Sequence, residues 1–250
     1  IIDVGLSLGE KQLLQKHFPI AKILNPASIL SEIYSMVRGQ EQDILSLASR
    51  PHIPEIFPGY RYYFLLDPDL WIQDERSLDS FVNLSLEYGL GIAKVKNYIF
   101  DHSCYGYSFL DSLEKEYVKK WYWCNGGVWC IDSHSDIFQI YKHSFISSLQ
   151  RNPNEWLGVL EQNSLNVAGS KANVKTTLNY LNNFCLGVDN NLSLVRAKNK
   201  LLYVNDRRLI GIFHFAAFRS KLDQSNFDIL IPDCDSAQPV RTSLHFRKKR

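Results

Sequence analysis

The clearest pattern in the chain is an unbroken apolar run, Tyr62 to Leu66, that passes directly into Asp67-Pro68-Asp69. A run this short and this rich in aromatic residues is typical of a strand that is buried on both faces. Because Pro68 cannot donate a backbone hydrogen bond to a sheet, we expect the strand to stop at Asp67. The pattern therefore predicts two carboxylates at the end of a buried strand.

Elsewhere, strand patterns alternate with helical ones. Leu78, Phe81 and Leu86 recur at helical spacing and predict a helix over residues 74–88, which is followed by a strand over residues 91–95. The same patterns predict strands at 1–4, 21–24, 121–132, 175–180, 201–204 and 209–215, and helices at 8–18, 28–49, 111–119, 136–149 and 154–168. Such alternation predicts an α/β fold with a mostly parallel central sheet flanked by helices.

The periodic pattern fades beyond residue 222, so we expect one domain over residues 1–222 and an irregular tail over 223–250. The last ten residues carry five basic side chains and no acid, namely Arg241, Arg247, Lys248, Lys249 and Arg250. A tail of this kind is usually solvated. The alternative is a weak peripheral contact with anionic lipid at the inner face of a membrane.

The composition is that of an ordinary globular protein. At 250 residues the chain is long enough to bury one α/β core, and its 45% hydrophobic and 22% charged residues are typical of soluble proteins. The net charge of +2 gives no indication of a nucleic-acid partner, and we expect none. No apolar run is long enough for a membrane span, and no signal peptide is visible.

The five cysteines follow no CxxC pattern and suit reduced thiols, so we expect a cytoplasmic protein. The chain begins at Ile1, without Met and inside a predicted strand, and we expect upstream residues to have been removed.

Asp67 and Asp69 are the first candidate functional residues. Strand ends are where open α/β sheets bind ligands, and two neighbouring carboxylates repel each other unless a divalent cation compensates them. The alternative is that both are turn residues that cap the following helix. The local sequence leaves these two interpretations balanced.

Five features, taken in order, resemble one family. They are Arg50 in ASRPHIP, Asp67-Pro68-Asp69, Asn125-Gly126-Gly127-Val128, Glu161-Gln162 and His214 in IFHF. In this order they resemble the GT-A-fold glycosyltransferases, and most of all the nucleotide-sugar-dependent enzymes of glycosyltransferase family 8. The resemblance extends from Ile1 to about Lys221, and it implies a GT-A-like central sheet whose first strand would precede Ile1.

The resemblance implies a metal site. Asp67 and Asp69 match the DxD motif that holds a divalent cation, usually Mn²⁺ or alternatively Mg²⁺, against the donor diphosphate. His214 matches the third protein ligand of the family. The alternative for a histidine beside an apolar strand is a hydrogen-bonded core residue.

The resemblance also implies donor-binding and catalytic residues. Arg50 matches an arginine that contacts the donor, and Asn125, Gly126 and Gly127 match a segment that lies along the donor sugar. The alternatives are a solvated loop arginine and an ordinary bulge.

Glu161 matches an acid that binds sugar hydroxyls, and Gln162 matches a glutamine near the anomeric carbon. Otherwise both would be exposed helix residues. Arg219 and Lys221 flank the position of a lysine that binds the diphosphate. The sequence departs from the family pattern at Glu161, which replaces an aspartate, and at Ala217, which replaces a glycine.

We therefore expect a metal-dependent glycosyltransferase of the hexosyltransferase type. By analogy with the family, it would move a sugar from a nucleotide diphosphate, with UDP as the expected nucleotide, to a glycan, lipid-linked or other hydroxyl acceptor, and would retain the anomeric configuration. One alternative is a non-catalytic GT-A-like sugar-binding module. Another is a haloacid-dehalogenase-type phosphatase, although Trp71 stands where that family carries a small residue.

Overall fold

Helices and short strands alternate in the computed structural model of the protein. It describes residues 1–3, 5–36, 44–99, 104, 106–119, 121–185, 194–196, 202–204, 208–214, 228–232 and 239–243. The α-helices are α1 (Leu8–His17), α2 (Ser31–Met36), α3 (Ile53–Ile56), α4 (Arg76–Tyr88), α5 (Ser112–Val118), α6 (Ile137–Arg151) and α7 (Leu157–Lys171). Single turns of other helix types lie at Ile44–Ala48, Arg50–His52, Tyr107–Phe109 and Tyr180–Asn183.

The strands are β1 (Tyr62–Leu66), β2 (Leu70–Ile72), β3 (Leu90–Ile99), β4 (Tyr122–Asp132), β5 (Phe184–Cys185), β6 (Leu194–Arg196), β7 (Leu202–Val204), β8 (Ile212–His214), β9 (Asp228–Pro232) and β10 (Pro239–Ser243). The protein is therefore mixed α/β, as predicted.

Strand β4 lies in the middle of the central sheet and pairs antiparallel with β1 on one side and β3 on the other. Because both neighbours run opposite to β4, β1 and β3 run in the same direction. They are the two strands that α4 connects, so the expected βαβ unit is present with a third strand inserted into it. Strand β5 pairs parallel with β8, and isolated parallel bridges join Ile2 to Leu24 and Ala93 to Leu178. The pairs of β4 with β1 and β3 are antiparallel, so a mostly parallel central sheet is not confirmed.

The two faces of β4 are buried by different parts of the chain. Trp129 and Ile131 belong to a core cluster with Phe138 of α6, whereas Val128 belongs to a second cluster with Phe81 of α4. Alternate residues of a strand point to opposite faces, so each face of β4 has its own apolar set. Covering by helices on both sides explains why residues 128–131 of β4 are apolar without a break.

A second small sheet brings strand β8, with His214, close to the end of β1. Strand β2 pairs antiparallel with β8, with Leu70 opposite His214, and β5 pairs parallel with β8. The sequence did not predict β2. Its presence separates the two aspartates from helix α4, whose N-cap Glu75 makes no side-chain capping bond. The interpretation of Asp67 and Asp69 as caps of the following helix is therefore wrong.

Two strands lie within the predicted tail. Strands β9 and β10 form an antiparallel ladder in which Ile229 lies opposite Thr242. Four of the five predicted basic tail residues, Arg247 to Arg250, lie outside the described residues. In the part of the chain that the structure describes, no helix is both long and apolar enough to cross a lipid bilayer.

Candidate metal centre

Asp67, Asp69 and His214 lie together where β1 ends and β8 passes β2. Nε2 of His214 is 3.8 Å from Oδ2 of Asp67 and 3.4 Å from Oδ1 of Asp69. One ligand atom from each residue lies within 4.8 Å of the other two. Ligand atoms that share one octahedral Mg²⁺ at about 2.1 Å are about 3 to 4 Å apart, so this spacing suits a small divalent cation.

The chemistry of the three side chains also fits a cation. Two carboxylates suit a hard ion, and an imidazole is a better ligand for a transition metal than for Mg²⁺ or Ca²⁺, so the set suits Mn²⁺. His214 is only 2% exposed, and its Nδ1 has no hydrogen-bond partner among the described residues. The nitrogen that faces the two carboxylates is Nε2, so the contacts of this atom, and not the open Nδ1, are what place His214 in the cluster.

Gly127 makes the close approach of these side chains possible. Its carbonyl accepts a hydrogen bond of 2.9 Å from the backbone N–H of Asp67. A Cβ atom at Gly127 would lie 2.2 Å from Cε1 of His214 and 2.8 Å from Oδ2 of Asp67. At the neighbouring Gly126 the nearest atoms would be 3.7 Å away, which is ordinary contact. The structure thus gives a reason for glycine at position 127 that the sequence did not supply.

Arg50 links Asp67 of the metal cluster to Glu161 and Gly126. Its Nη2 donates to Oδ1 of Asp67 at 2.6 Å, and its Nη1 donates to Oε2 of Glu161 at 3.2 Å and to the carbonyl of Gly126 at 3.4 Å. Its side chain is 13% exposed, so the alternative of a solvated loop arginine is wrong. Burial lowers the pKa of Arg50, but the nearby Glu161 and Asp67 carboxylates outweigh it and raise that pKa. Arg50 is therefore a fixed positive charge at the site.

Glu161 is buried beneath the site rather than exposed on its helix. It is 1% exposed, its Oε2 accepts from Arg50, and its Oε1 accepts a hydrogen bond from the hydroxyl of Tyr141. Burial raises the pKa of Glu161 to about 7, although Arg50 and Tyr141 act in the opposite direction. The alternative of an exposed helix residue is wrong for Glu161. Both carboxylate oxygens already have protein partners, which the predicted role in binding sugar hydroxyls did not anticipate.

Gln162, predicted to be catalytic, and the predicted sugar-donor-binding residues Asn125, Gly126 and Gly127 are joined by hydrogen bonds. Oε1 of Gln162 accepts from the backbone N–H of Gly126 at 3.3 Å. Oδ1 of Asn125 accepts from the N–H of Gly127 at 2.8 Å and from the side chain of Asn183 at 3.3 Å. These bonds fix the middle of β4 against α7. The other two predicted donor residues, Arg219 and Lys221, lie outside the described residues.

The sequence assigned no role to two residues that organise the site. Tyr141 is 0% exposed and lies on α6, where nothing in the local pattern distinguishes it from a core aromatic. Asn166 is also fully buried, and its amide donates to the carbonyls of Cys124 and Gln162 while its oxygen accepts from Trp121 and from the N–H of Cys124. A polar residue on an otherwise buried helix face was the available signal for Asn166.

A groove of about 700 Å³ opens next to the cluster of Asp67, Asp69 and His214. Arg50, Asp67 and Pro68 line it at the metal-ligand end, and aromatic residues such as Phe57 and Tyr60 line its wall. Sites for small molecules commonly have this size, with apolar walls and a few polar groups. The groove is therefore a candidate ligand site that shares Asp67 with the cluster.

No protein-family model matches the chain, and no curated protein sequence matches it.

Proposed function

We propose that the protein is a metal-dependent glycosyltransferase of GT-A type that uses a nucleotide-diphosphate sugar, with UDP as the nucleotide, and transfers the sugar to a hydroxyl acceptor on a glycan or lipid-linked molecule. One observation carries the proposal. His214 is distant from Asp67 and Asp69 in the sequence, but its side chain lies close enough to theirs for all three to bind one metal ion. Arg50, Gly126 and Gly127 converge on the same point.

In this proposal the carboxylates of Asp67 and Asp69 and Nε2 of His214 hold a divalent cation. A bound Mn²⁺ would offset the charge that develops on the departing nucleotide diphosphate. Arg50 orients Asp67 through its bond to Oδ1, which leaves Oδ2 on the side of His214. The groove beside Asp67 and Arg50 has the size and aromatic lining for a nucleotide.

The proposed acceptor step follows the family analogy. We propose retention by same-face attack, in which the acceptor oxygen bonds to the anomeric carbon on the side where the bond to the diphosphate oxygen breaks. The departing diphosphate takes up the proton of the acceptor hydroxyl. An NMR time course of the product anomer tests this part separately, since an inverted product would contradict retention without affecting the metal centre.

Manganese-dependent nucleotide binding is the expected result that tests the proposal. Because the diphosphate would bind mainly through the cation, UDP is expected to bind about tenfold or more tightly with MnCl₂ than with EDTA. Isothermal titration calorimetry measures both affinities, and incubation with a panel of UDP-sugars and Mn²⁺ measures slow donor hydrolysis. Adenosine monophosphate, which lacks a diphosphate, serves as the control ligand.

The outcomes separate the candidate functions. UDP binding of equal strength with EDTA would contradict the metal-dependent site. Manganese-dependent UDP binding without turnover of any donor would instead support the non-catalytic GT-A-like module. The protein partners of both Glu161 oxygens are the observation that favours this second candidate.

A further inference from the structure

We infer that Glu161 and Tyr141 are positioning residues that hold Arg50 against Asp67, and that Glu161 does not itself contact the substrate. The inference rests on the proposed metal centre, because its effect is exerted on the orientation of the ligand Asp67. It assigns a role to Tyr141 and changes the expected role of Glu161.

Glu161 is buried, and protein groups already occupy its carboxylate. Its side chain is 2% exposed, and each of its two oxygens has a protein partner, Tyr141 for Oε1 and Arg50 for Oε2. A carboxylate that recognises sugar hydroxyls must present an oxygen to the ligand site. Removing either existing bond would leave a buried charged or polar group without a partner, which is strongly unfavourable.

Tyr141 holds the carboxylate of Glu161 in position. It lies on α6, is fully buried, and places its hydroxyl on the carboxylate of Glu161 in α7. Burial and the nearby Glu161 hold the pKa of Tyr141 well above its usual range, so the hydroxyl keeps its proton and acts as a donor. This bond between two packed helices fixes the rotamer of Glu161.

The guanidinium of Arg50 transmits that position to the metal centre. Its rigid planar fork donates from Nη1 to Glu161 and to the carbonyl of Gly126, and from Nη2 to Oδ1 of Asp67. With three acceptors in place, the orientation of the fork is determined. Oδ2 of Asp67 is then the oxygen that faces His214. The relay runs from Tyr141 through Glu161 and Arg50 to Asp67.

Two variants test this relay with Mn²⁺ alone as the probe. Tyr141→Phe and Glu161→Gln, made in the full chain, are each expected to weaken Mn²⁺ binding about tenfold, the usual effect of losing a partner behind a metal ligand. Electron paramagnetic resonance of free Mn²⁺ measures the affinity. Ser144→Ala is the matched control, because Ser144 is also buried on α6 and donates its hydroxyl to a carboxylate oxygen, Oε1 of Glu114. Its Mn²⁺ affinity is expected to stay within about twofold of the parent.

A second measurement distinguishes positioning from a general loss of stability. In the background of Arg50→Met, Glu161→Gln is expected to cause no further change in Mn²⁺ affinity, since the relay is already broken at Arg50. Circular dichroism verifies that each variant is folded. Independent, additive effects of the two changes would overturn the relay.

The remaining outcomes are separable from those of the proposed function. Absence of Mn²⁺ binding by the parent protein would contradict the metal centre and the relay together. Normal Mn²⁺ binding by both Tyr141→Phe and Glu161→Gln would overturn the relay alone. If Glu161→Gln binds Mn²⁺ and UDP normally but loses affinity only for UDP-glucose, then Glu161 contacts the sugar and the inference is wrong.

Discussion

Asp67→Asn combined with Asp69→Asn is expected to abolish Mn²⁺ binding, with an affinity loss of about a hundredfold or more. The double substitution removes both anionic ligands and leaves Nε2 of His214 as the only predicted ligand atom of the cluster. A neutral amide oxygen is a weak substitute for a carboxylate at a hard cation. Calorimetry with MnCl₂, followed by UDP in the presence of MnCl₂, measures the loss of both affinities.

The matched control removes the same number of negative charges from positions outside the site. Asp74→Asn with Asp79→Asn removes two aspartates from the region of α4, where Asp74 pairs with the exposed Arg76. This pair of changes is expected to leave Mn²⁺ affinity near that of the parent, because the ion pair is exposed and contributes little. If Asp67→Asn with Asp69→Asn binds Mn²⁺ as tightly as this control, the proposed metal centre is wrong.

Gly127→Ala is expected to disrupt the site through a single methyl group. The added carbon would meet Cε1 of His214 at 2.2 Å and Oδ2 of Asp67 at 2.8 Å, so at least one ligand must move. We expect Mn²⁺ affinity to fall about tenfold or more and the free energy of unfolding to fall by about 1–3 kcal/mol. Titration with MnCl₂ and urea denaturation measure the two effects.

Gly126→Ala is a closely matched control, one residue away on the same strand. Its added Cβ would lie 3.7 Å from the nearest atoms, and neither glycine has a positive φ that would strain an alanine. We expect this variant to keep the Mn²⁺ affinity and the stability of the parent. Equal behaviour of the two alanine variants would show that the close packing around His214 does not govern the site.

The sequence predicted the local elements better than their arrangement. It predicted β1 with its bounds and α4 to within two residues at its start, because an apolar run and helical periodicity are local properties of the sequence. It did not predict that β4 would lie between β1 and β3. A βαβ pattern indicates that two strands share a direction, but it carries no information on a later strand that inserts between them.

Strand β2 was missed for a related reason. It has three residues, Leu70 to Ile72, and its pairing partner β8 lies far along the chain. Such a short strand has too few positions for a period of two to be recognised. Its hydrogen bonds come from tertiary pairing, which local propensity does not record.

The order of the motifs along the sequence was enough to identify the residues of the candidate site. It was not enough to predict the burial and the hydrogen-bond partners of those residues. Asp67, Asp69, His214 and Arg50 were all singled out, and the structure brings them together. The burial of Glu161 against Tyr141 was not expected, because it depends on how α6 packs against α7. Side-chain partners on different helices leave no spacing signal in the sequence.

If the proposed metal centre is correct, the pairing of Leu70 with His214 determines when during folding the metal site can form. A nascent chain that has been synthesised only as far as β5 contains both aspartates but not the histidine. Metal affinity would therefore appear only after β8 has docked on β2, late in folding. Once bound, the ion would stabilise the native state by mass action and join the early and late parts of the chain as a reversible cross-link.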